Sequence, residues 1–326
     1  MHRWGIIGCG NIASSFAQAL VYLPDAELRA AASLQPGRSE RFIRRHEGKK
    51  AYQQYGDLLA DRDVDIVYVA TPHNLHHQLV RQCLEAGKHV LCEKPLTINA
   101  TQAEELMHVA SANNLFLMEA MWTRFLPAIQ GAMKAVRAGE IGEVQHVSAT
   151  FGFFADVGPS HRLLNRDLAG GALLDVGVYP ISFIQMIFRE DPVRISSSAR
   201  IGATGVDLHC QATYEYASGA TAHLEASIES DCANVAIIRG TKGEIRIPLF
   251  WKATEWISAI KGRPTTTTAC RYPSTGLQFE AREVMESLNL GRRESDIMPL
   301  GDTLAVIKQM DQMRNAWGLV YPGESI

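Results

Sequence analysis

Little in this chain invites nucleic acid, lipid or metal. Basic residues do not outnumber acidic ones: 32 Lys and Arg stand against 35 Asp and Glu, a formal charge of −3. That balance supplies no positive field for a phosphate backbone or an anionic membrane. No run approaches the roughly 20 apolar residues that span a bilayer. Met1 to Trp4 passes straight into a strand without a signal pattern. The expectation is a cytoplasmic protein with no nucleic-acid and no membrane partner. Cysteine is scarce, six in 326 residues, and no pair has the short spacing of a zinc or redox motif. The cysteines read as reduced and mostly buried. His73, His76 and His77 have helix-face spacing, but no carboxylate accompanies them, so no metal is expected.

What is present is the material of a sizeable core. Hydrophobic residues make up 46% and charged residues 21%, the balance of a soluble globular chain, and the length suggests roughly two domains. His89-Val90-Leu91-Cys92-Glu93-Lys94-Pro95 is an apolar run that ends in an acid, a base and a proline. Such a run reads as a buried parallel strand whose carboxyl end opens into a crevice, and open α/β sheets bind ligands at that edge. Lys94 then stands at the strand tip, held extended by the proline that follows. An ordinary strand-to-helix turn gives the same tripeptide.

The start of the chain points to a dinucleotide. Trp4 to Ile7 is an apolar strand that runs into Gly8-Cys9-Gly10-Asn11-Ile12-Ala13, a G-x-G-x-x-A turn before a helix with Ile12, Phe16 and Leu20 at helical spacing. Gly8 permits the turn, Gly10 lets backbone approach a pyrophosphate, and Ala13 lets helix and strand pack closely. The strand Glu27 to Ala32 ends at Ser33-Leu34, where NAD sites place an acid for the ribose hydroxyls. None is present. Ser33 can hydrogen-bond a 2′-phosphate and Arg38 can pair with one, which favours NADP while NAD stays open. Arg41, Arg44 and Arg45 read as solvated helix cations, and Arg38 admits the same reading.

Further strand tips place Thr71, Pro72, His73 and His76, then Glu93 and Lys94, then Glu119, on the side expected to meet the cofactor. Trp122 and Arg124 follow as a hinge at a crevice between domains, or as plain packing. Strands and helices alternate up to this point, so residues 1–120 are expected to form a doubly wound parallel sheet. Residues 121–326 read as a second α/β domain with strand-like runs from Val144, Val193, Leu208, Ala220, Asn234 and Gly243. Short turns between most of them predict an open, mostly antiparallel sheet. Gly170 to Phe188 opens a strongly apolar helix on which Asp175 and Tyr179 share a face. Thr265 to Thr268 reads as loop. The alternating apolar residues Ala212, Tyr214, Tyr216 and Ala222, Leu224, Ala226 predict a sheet face covered by another copy, hence a homodimer or larger assembly.

These motifs together, Gly8-x-Gly10-x-x-Ala13, Glu93-Lys94-Pro95 and Gly170 to Tyr179, resemble the glucose–fructose oxidoreductase / inositol dehydrogenase (Gfo/Idh/MocA) family over nearly the whole chain. Met118 to Phe125 is similar to a branch that acts on cyclic diols. The resemblance implies a Rossmann domain, a second domain whose open sheet serves oligomerisation, and bound NAD(P). It implies a catalytic lysine at Lys94, with the bond before Pro95 cis or trans, and an acid/base residue at Tyr179. Many relatives carry His there, and NADP-using relatives often carry Arg where this chain has Leu34.

Removing a hydride from an alcohol carbon needs a base for the hydroxyl proton. Tyrosine, with a pKa of about 10, needs a nearby cation to serve. Lys94 can supply it, and Asp175 can orient Lys94 or a substrate hydroxyl. The expected activity is an NADP-dependent oxidoreductase acting on a polyol, diol or carbonyl substrate. A glycosidase of the same fold with no net redox change, and a non-catalytic NADP sensor, are the alternatives.

Overall fold

Short buried strands joined by glycine turns build the first sheet. In the computed structural model, which describes residues 1–324, the elements up to residue 120 are β1 (His2–Ile7), α1 (Asn11–Leu20), β2 (Ala26–Ala32), α2 (Arg38–Arg45), β3 (Lys50–Tyr52), α3 (Tyr55–Ala60), β4 (Ile66–Val69), α4 (His76–Glu85), β5 (His89–Glu93), α5 (Ala100–Ala112) and β6 (Leu117–Ala120). The strands are parallel throughout, in the order β3-β2-β1-β4-β5-β6. Chain direction across the sheet reverses between β1 and β4, so the tips of these two strands flank the crevice where doubly wound sheets take ligands. Trp4, Ile6, Ile7 and Phe16 are fully buried, and Phe16 stacks on Tyr68 at 3.9 Å. Each such side chain contributes about 1.5–3 kcal/mol.

The second sheet is built from β7 (Val144–Gly152), β8 (Arg194–Ile201), β9 (Asp207–Glu215), β10 (Thr221–Ser227), β11 (Val235–Gly240), β12 (Gly243–Pro248), β13 (Glu255–Ile260) and β14 (Thr266–Ala269). Its order is β14-β13-β12-β11-β7-β10-β9-β8, antiparallel except where β7 meets β10. The helices are α6 (Pro127–Arg137), α7 (Val178–Phe188), α8 (Gln278–Asn289) and α9 (Leu300–Trp317). The threonine run expected as loop is the edge strand β14. All four of its residues are exposed, so no buried alternation marks it, yet its β-branched side chains suit a strand.

Two expectations about this half need correcting. Ala212, Tyr214, Tyr216, Ala222, Leu224 and Ala226 do not form an outward face; they are at most 3% exposed. They belong to the core side of the sheet, where α7 packs against β7 and β10. The alternate residues Gln211, Thr213 and Glu215 are the exposed ones, so the opposite side is polar at β9. The stretch Arg166–Phe188 is also long and apolar enough to cross a membrane, but 89% of its most apolar window is buried, as in a core helix.

The chain divides into two compact units, Met1–Trp122 with Pro273–Gly301, and Thr123–Tyr272 with the chain from Asp302. A contiguous second domain from residue 121 is therefore not what forms. The returning segment carries α8, which packs on α1, and its Thr275 hydroxyl donates to Ser15 O at 3.2 Å.

Candidate active-site residues

The turn after β1 is shaped for something outside the protein. Gly8 has φ +94, and a Cβ there would lie 2.5 Å from Ala70 O at the β4 tip, so conformation and space both demand glycine. Gly10 has φ −88, and a Cβ on it would meet nothing within 4 Å. The chain's own packing leaves that space empty. Gly10 is also the N-cap of α1 and makes no side-chain capping bond, so the helix start can receive an anion through backbone N–H groups. Thr71 Oγ1, at the β4 tip, is buried with no hydrogen-bond partner among the described residues. A pyrophosphate and its sugar fit this cradle. Asn11 and Ile12 are exposed beside it and Ala13 is buried beneath it.

A cavity of about 480 Å³ opens at the turn, lined by Cys9, Gly10 and Asn11 together with Arg38, Arg41 and Arg45. Arg38 is anchored: its Nε donates to Cys9 O at 3.0 Å and its Nη1 to Gln35 Oε1 at 2.6 Å. Ser33 is 5% exposed and its Oγ accepts from Gln35 N at 3.3 Å. Arg41 and Arg45 were expected in solvent only; their place in this lining depends on how α2 lies over the glycine turn, which local spacing does not encode. His46 also lines the cavity, its Nε2 2.8 Å from Ser14 Oγ, and burial holds its imidazole below the ordinary pKa.

At the β5 tip, a buried acid and a buried histidine grip the backbone on either side of Lys94. The Tyr68 hydroxyl donates to Glu93 Oε1, while Lys94 N donates to Glu93 Oε2 at 3.3 Å. The Lys94–Pro95 bond is cis. His76, fully buried, places Nδ1 2.8 Å from Pro95 O and Nε2 2.9 Å from Thr71 O, tying the β4 and β5 tips together. Burial holds its pKa down against the pull of the two carbonyls, so one proton serves one carbonyl at a time at neutral pH. His73 is 7% exposed and meets His76 edge-on at 5.8 Å, with Pro72 leading into its turn. His77 faces Glu105 instead, at 2.9 Å, so the three rings do not converge.

Glu119 is fully buried and accepts from Leu96 N at 3.1 Å, fixing the residue after the proline. A further acid, Glu280 of α8, escaped the sequence reading because it lies in the returning segment. It is fully buried, neither oxygen has a hydrogen-bond partner among the described residues, and burial together with the charge of Glu93 raises its pKa well above the usual range.

The second unit presents Asp175 and Tyr179. The helix start is a π turn, Leu173–Gly177, which passes into α7 at Val178. Widened turns of this kind are frequent at functional positions. Asp175 is 6% exposed and accepts from Arg162 Nη1 at 2.7 Å. Tyr179 is 9% exposed, with Phe151 edge-on at 5.3 Å, and Phe151 in turn stacks on Trp251 at 4.6 Å. Arg162, Phe151 and Trp251 reach this place from distant stretches, and no local pattern marks them. Arg124, expected at the cofactor, is 1% exposed. It donates to Ser182 Oγ and Ser182 O at 2.9 Å and to Asp302 at 2.5 Å, which makes it a strut of the second unit. Trp122 is half-buried at the start of the same short helical turn.

Residues 2–121 match the oxidoreductase family with an NAD-binding Rossmann fold, and residues 129–246 match the GFO/IDH/MocA C-terminal domain. The chain belongs to the Gfo/Idh/MocA family. As a Gfo/Idh/MocA protein it is an NAD(P)-dependent dehydrogenase/reductase acting on CH–OH or keto groups. It is similar to trans-1,2-dihydrobenzene-1,2-diol dehydrogenase of Xenopus tropicalis, 36% identical over 98% of this chain and 99% of that one. The human protein of the same name is 35% identical over 98% of each chain. Among solved structures, a 3-ketoreductase from Actinomadura kijaniata in complex with NADP and TDP-benzene is 29% identical. It superposes with a TM-score of 0.86 over 96% of this chain and 97% of that one.

Proposed function

We propose that this Gfo/Idh/MocA enzyme uses NADP and moves a hydride between nicotinamide and the CH–OH or C=O carbon of a sugar, cyclic polyol, dihydrodiol or dicarbonyl. The observation that carries the cofactor choice is the cavity at the glycine turn that Arg38, Arg41 and Arg45 help to line, with Ser33 where a ribose-binding carboxylate would repel a 2′-phosphate. The ketoreductase relative in complex with NADP agrees with that choice. A ring-shaped substrate is supported by the similarity to trans-1,2-dihydrobenzene-1,2-diol dehydrogenases over nearly the whole chain.

The nicotinamide, when bound, supplies the hydride acceptor or donor. Tyr179 takes the substrate's hydroxyl proton in oxidation and returns it in reduction. Lys94 supplies the positive charge that lowers the cost of a tyrosinate and a hydrogen bond to the substrate oxygen. Asp175, held by Arg162, orients Lys94 or a second substrate hydroxyl. Gly8, Gly10, Thr71 and His73 bound the cofactor's place, and Glu93, Glu119 and His76 hold the backbone around Lys94.

The deciding experiment is a screen of dihydrodiols, inositols, aldoses and dicarbonyls followed by NADPH absorbance. The expected result is absorbance change in step with product. Sugar release from a glycoside at constant NADPH would identify a glycosidase instead, and tight NADP binding without turnover on any substrate would identify a sensor. A homo-oligomer through the second sheet is supported by the family resemblance; light scattering that returns a monomer at micromolar concentration would remove it.

A further inference from the structure

The helix that carries Asp175 and Tyr179 begins at a turn gripped from several sides. Gly170 N donates to Asn165 O at 3.0 Å and Gly171 N to Leu163 O at 2.9 Å. The Tyr321 hydroxyl donates to Gly170 O at 2.6 Å. Asp207, the first residue of β9, is fully buried and its Oδ2 accepts from Leu173 N at 2.6 Å. Its Oδ1 has no hydrogen-bond partner among the described residues. A Cβ on Gly171, at φ +124, would fall 2.1 Å from that oxygen, so the glycine is what lets the carboxylate in. Asp175 N in turn donates to Gly171 O at 3.2 Å, which links the gripped turn directly to the acid.

We propose that Asp207 is a positioning residue for the reaction: its carboxylate caps the first turn of the π and α7 helix and thereby sets the height and rotation of Asp175 and Tyr179. The proposal rests on the reading of Tyr179 as the proton carrier. A carboxylate on a helix's leading N–H groups is a charge-assisted bond along the helix dipole. A neutral acid on the same groups binds more weakly. The titratable and charged groups facing Asp207 are Arg314 of α9, itself paired with Asp311 and Glu324, the Tyr321 hydroxyl, and the Cys210 thiol on its own strand. Burial raises the Asp207 pKa to about 6, against the backbone bonds and Arg314, which lower it. The bond to Leu173 therefore strengthens as pH rises through that value, while the buried charge makes it easier for the turn to open to water. Protonation of the unpartnered Oδ1 leaves Oδ2 still able to accept, so the bond that positions the helix weakens without being lost.

The test follows kcat and cofactor affinity of the wild type, Asp207→Asn and Tyr179→Phe between about pH 5 and pH 8, together with hydrogen exchange of residues 170–180 in the wild type at both ends of that range. The expected wild-type kcat has an acid limb near the Asp207 titration. Asp207→Asn lacks that limb and sits about tenfold low at the upper pH, the scale of one charge-assisted bond against a neutral one, with NADP affinity unchanged. In the wild type, protection of the 170–180 amides, corrected for intrinsic rates, falls as pH rises through the Asp207 titration, because opening the turn lets the buried carboxylate ionise in water. Wild-type kcat and an intact acid limb in Asp207→Asn overturn the proposal, whatever its melting temperature. If Asp207→Asn does not fold, protection indifferent to pH overturns it on the wild type alone. Full turnover in Tyr179→Phe would instead remove the role given to Tyr179, and the exchange data would still decide whether Asp207 governs the turn.

Discussion

Gly8 and Gly10 stand two positions apart and answer to opposite constraints, which makes them separable by one methyl group each. Gly8→Ala places a Cβ 2.5 Å from Ala70 O at a positive φ, so it should destabilise the fold by about 2 kcal/mol or more in urea melts. Gly10→Ala meets no neighbour. It should melt like the wild type while weakening NADP binding by tenfold or more, read by titration of cofactor fluorescence; equal affinity would mean the empty space is not the pyrophosphate's. Arg38→Ala should weaken NADP more than NAD by roughly 1.5–3 kcal/mol, and equal loss for both would point to a general phosphate contact. Tyr179→Phe keeps the ring against Phe151 and should lower kcat by about 10²–10⁴-fold with little change in cofactor affinity. If Lys94 acts on the same proton, Lys94→Met added to Tyr179→Phe should be little worse than the worse single variant.

Elements that declare themselves locally were legible in the sequence. A glycine turn, a run of apolar residues or a proline at a strand tip dictates backbone over a few residues, so β1, α1 and the Glu93-Lys94-Pro95 tip were readable. β14 was not, because an edge strand exposed on every residue leaves no buried alternation. The face assigned to a partner copy was misread for a related reason: alternation says that one side is apolar, not which element covers it, and α7 does. Arg41, Arg45, Arg162, Asp207 and Glu280 acquire their settings from segments far away in sequence. The π turn ahead of α7 illustrates the energetic stake. Asp207 binds its proton more tightly folded, at a pKa of about 6, than unfolded, at 3.8. Its contribution to stability is therefore full at low pH and is lost as pH rises through 6, a cost of about 3 kcal/mol from the two values. Asp207→Asn should not show it. Urea midpoints should move in the variant's favour, relative to the wild type, between about pH 4 and pH 7; a constant difference would mean that Asp207 titrates normally.

At the scale of the whole molecule, the first unit is not continuous in sequence, since it is completed by Pro273–Gly301. α8 covers α1 from that segment, and Arg293 Nε reaches Asn114 Oδ1 at 2.7 Å. A fragment of residues 1–122 should therefore be poorly folded and bind hydrophobic dyes, whereas 1–122 joined through a short glycine-serine linker to 273–301 should melt cooperatively. Cooperative melting of 1–122 alone would show that α8 is an ornament of the fold.

The same split has a consequence during synthesis. A ribosome that has released Trp122 has made every strand of the first sheet, yet the helix that covers α1 is still about 150 residues from being translated, on the order of ten seconds or more at ordinary elongation rates. Through that interval the surface later sealed by α8 stays open to chaperones and to neighbouring nascent chains. A substitution on α8 that looks mild in the finished protein, at Ala281 or Val284 for example, both fully buried, would then act first as a fault in biogenesis, lowering yield in the cell before it lowers activity in the tube.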